Sequence, residues 1–98
     1  MKVSEVTVND LADFIRLDDP TDIEKKELER MRESAVAYIK NYTGLEESKI
    51  DEHPDITDAL FVLVTDMFDN RNYISDSKSG GSNKTVDSIL NMHSVNLL

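Results

Sequence analysis

An all-α fold, a compact bundle of three to four helices around a central apolar one, is what this sequence predicts. Three observations carry the expectation. First, the stretch from Pro54 to Arg71, PDITDALFVLVTDMFDNR, is too apolar for the surface of a 98-residue chain. On a helix advancing about 100° per residue, Ile56, Leu60, Leu63, Val64 and Met67 cluster on one face, which Ala59 widens on one side and Phe61 and Phe68 on the other. That arc is about 200° wide, where a helix resting on a single core needs roughly half as much. It has to be enclosed from at least two sides. Second, cap and start residues stand at helical boundaries along the chain. Third, nothing reads as a strand longer than the fragment Lys2 to Val6, and no internal repeat is visible.

The first helix is expected over residues 8–17. Thr7 with Asp10 forms an approximate capping box, Asp standing in for the usual Glu or Gln. Val8, Leu11, Ala12 and Ile15 share a face that Phe14 and Leu17 widen, and Asp18-Asp19-Pro20 ends it, because a residue before proline avoids helical geometry. The second helix is expected over 22–43, capped by Thr21 or Asp22. Leu28, Met31, Ala35, Tyr38, Ile39 and Tyr42 make its apolar stripe, and the pairs Lys25–Glu29 and Glu29–Arg32 add a few tenths of a kcal/mol each. Gly44 sits where a left-handed C-cap belongs, with Leu45 able to fold back on the last turn.

The segment EESKIDEHP reads as a polar connector into the central helix, expected over 55–71. Pro54 suits its first turn, where the missing N–H would be unpaired anyway, and Asp55 suits its positive end. Residues 75–83, SDSKSGGSN, read as a mobile loop. A short fourth helix is expected over 85–92, with Val86, Ile89, Leu90 and His93 on one side. One domain spans residues 1–98, its core built by Leu60, Leu63, Met67, Met31, Ala35, Tyr38 and Ile15.

With 39% hydrophobic and 32% charged residues, the chain is globular rather than disordered. No apolar run approaches the roughly 20 residues of a membrane span, and MKVSEVTVND holds no apolar signal stretch, so the expected location is cytoplasmic and no membrane contact is expected. Without cysteine there is neither a disulfide framework nor a thiolate metal site. Acids outnumber Lys and Arg 20 to 11, for a net charge of −9, and the bases are scattered among acids. Tight nucleic-acid binding needs clustered bases on phosphates, so this composition argues against it.

Several motifs touch on chemistry without completing it. Gly80-Gly81-Ser82-Asn83-Lys84-Thr85 lacks the Gly directly before Lys that a phosphate loop requires. Asp87-Ser88-Ile89 is like the phosphopantetheine attachment motif of acyl carrier proteins. Ser88, however, stands ten residues from Leu98, so the helices that should follow it are missing. His53 and His93 are far apart, neither with a partner at i+4. His53 reads as an exposed linker residue and His93 as a helix-end residue favoured by the dipole. A zinc site needs three or four ligands and a hydrolytic triad a placed nucleophile. The acids from Asp66 to Asp69 lack the calcium-loop pattern. No catalytic, cofactor-binding or metal-binding residues are therefore expected, and the chain reads as a non-enzyme.

Three segments occur in an order that carries more than each alone. They are Val6-Thr7-Val8 through Leu11 to Phe14-Ile15-Arg16-Leu17-Asp18, then Ala35-Val36-Ala37-Tyr38-Ile39 with Asn41-Tyr42-Thr43-Gly44, then Pro54 through Ala59-Leu60-Phe61-Val62-Leu63-Val64 to Asn70-Arg71. With Val86-Asp87-Ser88-Ile89-Leu90 they resemble the small all-helical head–tail connector family of tailed bacteriophages and prophages, over nearly the whole chain. Relatives often finish with Pro-Tyr-Arg, where this chain has Asn91-Met92-His93. The resemblance implies a structural subunit of head completion and DNA packaging. It implies a homo-oligomeric ring of about twelve copies, as closed rotational symmetry allows, set beneath the portal protein and joined to a tail-side completion protein. DNA would pass through its channel without tight binding. Its location would be the host cytoplasm during assembly and then the virion head–tail junction. On this reading Arg71, Ile74, Val86, Ile89, Leu90, Leu97 and Leu98 are the expected contacts with other subunits. Arg71 alternatively caps its own helix. A small acidic helical module for protein interaction or regulation is the alternative.

Overall fold

The computed structural model describes residues 1–70 and 84–94. Five α-helices occur among them: α1 (Val8–Phe14), α2 (Asp22–Thr43), α3 (Glu47–Ile50), α4 (Pro54–Asp69) and α5 (Lys84–His93). No strand is present among the described residues. The fragment at the N-terminus is instead a 3-10 turn, Val3–Glu5, whose Val3 is buried with the neighbouring Val6.

The boundaries follow from local bonds. Thr7 Oγ1 accepts from the Asp10 N–H at 3.2 Å, and the Thr7 N–H donates to Asp10 Oδ2 at 2.9 Å. Thr21 and Glu24 repeat the exchange at the start of α2, at 3.1 and 2.9 Å. Each box satisfies donors that the first turn leaves unpaired. At the other end of α2, Gly44 takes φ 73° and its N–H reaches Lys40 O at 2.9 Å. A residue with a Cβ would meet steric resistance in that left-handed conformation.

Helix α1 stops at Phe14, three residues before the expected end. The Arg16 N–H turns back to Asp13 O and the Leu17 N–H to Ala12 O, with Arg16 at φ 61°. This is the paired closure that usually recruits glycine, here made by arginine. Ile15 and Leu17 still pack against the core after the helix has ended, which is why the apolar spacing alone overran the boundary.

Helix α4 is the hub. Ile56, Ala59, Leu60 and Val64 are fully buried, and α4 packs against α2, α5, α1 and the N-terminal turn. Enclosure from several sides is what its wide apolar arc required. Of the expected core, Leu60 and Ala35 are buried, while Leu63, Met67, Met31, Tyr38 and Ile15 pack half-buried around them. Asn70 closes α4, its N–H and its Nδ2 both donating to Asp66 O. Arg71 and the segment 75–83 lie outside the described residues.

The connector before α4 is less polar than it reads. It holds the single turn α3, and Ile50 at its end is buried in the core. Helix α5 matches its expected range to within one residue at either end, the usual uncertainty of helix ends.

Candidate functional site

Helix α5 lies along both long helices. Tyr38 and Tyr42, one turn apart on α2, donate their hydroxyls to Asp87 Oδ1 at 3.1 Å and Asn91 Oδ1 at 2.8 Å, again one turn apart. The two helices therefore run parallel, and α4 is antiparallel to α5. That antiparallel pairing brings the start of α4 to the end of α5, and the residues that meet there are His53, Asp55 and His93.

Pro54 forces this geometry at its base. It occupies the first helical position, so His53 before it stays extended as the N-cap, at φ −118° and ψ 98°. Backbone bonds from the His53 N–H to Ile50 O and from the Ile56 N–H to His53 O, both 3.0 Å, fix the turn. Across it, His93 Nε2 donates to Asp55, 2.7 Å from Oδ2 and 2.9 Å from Oδ1. The two imidazole rings lie 4.1 Å apart between centroids, tilted by 32°. One ligand atom from each of the three side chains falls within 4.8 Å of the others. Burial works to raise the Asp55 carboxyl, but the hydrogen bond and charge of His93 and a backbone N–H outweigh it and hold it below its ordinary range. The His93 side chain is 17% exposed and that of Asp55 39%, so solvent reaches the cluster from one side.

Two surfaces stand apart from this cluster. On the first, Phe14 is 52% exposed although its ring lies 4.9 Å from that of Phe61. An aromatic pair open to water on one side gains from being covered. The second is a groove of about 470 Å³ between the N-terminal turn, α2 and α3. Val36, Ala37 and Ile50 give it apolar walls, and Arg32 and Lys40 stand along it.

The expected subunit contacts fare unevenly. Val86 and Leu90 are fully buried within this one chain, so they are core residues and not groups awaiting a neighbour. They lie one turn apart on α5, which the Tyr38–Asp87 and Tyr42–Asn91 bonds hold against α2 while it also packs on α4. Ile89 is half-buried and packs against the same core. Arg71, Ile74, Leu97 and Leu98 lie outside the described residues. Ser88 is exposed in the middle of α5 rather than at its opening. His53 is not the exposed linker residue its sequence position suggests: it is half-buried and its ring lies against that of His93. The signal that could have joined it to His93 is antiparallel packing of consecutive helices, since no spacing motif links residues so far apart.

No helix among the described residues is long and apolar enough to cross a membrane. Compared with protein-family models, with curated proteins and with solved structures, the chain matches none.

Proposed function

We propose that this chain is a structural subunit of a phage head–tail junction, working as a ring of copies beneath the portal and lengthening the channel through which DNA is packaged. The reading rests on the resemblance in sequence. The observation that supports it best is the part its segments play in the fold: the Thr7 cap, the Gly44 stop and the α4 hub are the features that lock one helical domain together. A small, closely packed helical domain of this kind suits a repeated building block. The exposed Phe14–Phe61 pair offers an apolar contact for an adjacent copy, and the net charge of −9 gives a wall on which DNA slides without being gripped.

The test is assembly with the portal oligomer of the same genome, followed by size-exclusion chromatography and negative-stain imaging. The expected result is an added ring of mass on the portal. Phe14→Asp weakens that ring by about tenfold or more, as removal of a central aromatic contact does. A free monomer alone decides nothing, because ring closure is set by the portal template. Failure to bind both portal and tail-side completion protein overturns the proposal. The groove beside Val36 and Ile50 favours a second reading, an acidic helical module that holds a partner segment. That reading gains if a partner binds there while portal does not.

A further inference from the structure

The meeting point of α4 and α5 has the composition of a metal site. We infer that His53, Asp55 and His93 bind a single divalent transition-metal ion of the zinc class, with solvent completing the coordination, and that the ion staples α5 to α4. The inference stands independently of the phage reading.

The donor set argues for the metal class. Two imidazoles and one carboxylate suit zinc, cobalt or nickel, whereas magnesium and calcium prefer oxygen alone. Three protein ligands with an open position form an established zinc arrangement. Ligand atoms on a tetrahedral ion at about 2.0–2.1 Å stand roughly 3.3 Å apart, so the 4.8 Å spread here closes by modest side-chain rotations. The Asp55–His93 pair is already at 2.7 Å.

The third member is what distinguishes this cluster from a simple ion pair. His93 and Asp55 satisfy one another, yet a second imidazole stands against the first at 4.1 Å. Its backbone is fixed by bonds on both sides of Pro54. The surroundings also favour a cation: His93 sits in the last turn of α5, where the carbonyl end of the helix is negative. The positive start of α4 opposes this, and Asp55 in its first turn offsets it. On binding, the ion takes the Nε2 position now held by the proton shared with Asp55, and that proton leaves to solvent.

Cobalt(II) titration of the full, tag-free chain tests the site. The expected result is one ion per chain at micromolar affinity, with intense visible d–d bands typical of tetrahedral nitrogen and oxygen ligation, displaced by zinc and untouched by magnesium. His53→Ala is the decisive variant, because it removes only its ring contact with His93 and leaves the Asp55–His93 pair and the Tyr38–Asp87 and Tyr42–Asn91 bonds of α5 in place. It weakens binding by at least about tenfold and abolishes the rise in thermal midpoint that zinc gives the wild-type chain. Binding only at millimolar metal, or equal binding by His53→Ala, overturns the inference.

Discussion

At the start of α2, Thr21 and Glu24 exchange hydrogen bonds across three residues; the side chains of Asp87, Asn91, His93 and Ser94 bond to partners 38 to 52 residues away. The first kind of bond forms as soon as a turn forms. The second exists only when three helices are already in place, because each of its side chains must find a partner on another element. Helices α1, α2 and α4 are in this sense written locally, and α5 is recruited. A recruited helix is expected to open before the rest, so its amides exchange faster than those of α4.

Two truncations separate these regions and carry the largest effects. Leu60→Ala, at the fully buried centre of α4, is expected to cost about 3–5 kcal/mol, the transfer of the lost methyl groups plus the cavity left behind. Leu90→Ala, equally buried but on α5, is expected to cost about 2–3 kcal/mol. Urea unfolding of the free chain measures both. A Leu90 that served only a neighbouring subunit would leave the free chain unchanged, so this variant also tests the reassignment of Leu90 to the core. If Leu90→Ala lowers protection from exchange in α5 alone, the helix opens as its own unit. If it lowers protection everywhere, the domain is one cooperative block.

The same division explains what could be read from the sequence. Thr7 with Asp10, Thr21 as one of two expected caps, Gly44 and Pro54 are signals that act within one turn, and all four mark their helices; the part of Glu24 in the Thr21 cap lies outside those expectations. The width of the apolar arc on α4 likewise forecast a hub. Arg16 hid the end of α1, because a left-handed arginine performs a task that sequence reading assigns to glycine. Ile50 hid in a polar segment, since one apolar residue in a single turn has no periodicity to reveal it. The meeting of His53, Asp55 and His93 depends on how α4 and α5 pair, which is a property of packing and not of spacing.

Smaller effects sharpen the contrast. Thr21→Ala removes a local cap and is expected to cost about 1 kcal/mol, read as a lower urea midpoint at unchanged slope. Tyr38→Phe removes one long-range tie and is expected to cost about 0.5–1 kcal/mol. The two variants also differ in alkali. Burial, then the hydrogen bond and charge of Asp87, raise the Tyr38 hydroxyl above its ordinary value. A group raised on folding stabilises fully below its unfolded pKa, and the contribution is lost as pH rises through the folded value. The wild-type chain and Thr21→Ala therefore lose stability in that alkaline window, while Tyr38→Phe lacks this component of the loss.

The smallest expected effect lies at a long-range bond outside α5. Ser4, in the N-terminal turn, donates its hydroxyl to Asp51 Oδ2 at 2.7 Å and its N–H to Oδ1 at 3.1 Å, across 47 residues but at an exposed surface. The hydroxyl bond first, then the backbone bond, hold the Asp51 carboxyl below its ordinary range, against a weaker opposing effect of burial. For a carboxylate lowered on folding, the contribution is present above its unfolded pKa and is lost as pH falls through the folded one. Ser4→Ala removes the stronger of the two bonds and leaves the other. The variant is therefore slightly less stable than the wild-type chain near neutrality, and the two thermal midpoints converge in strong acid, where Asp51 is protonated in both. A gap that persists unchanged into acid would assign Ser4 to packing of the N-terminal turn and remove Asp51 from the contacts that hold that turn against α3.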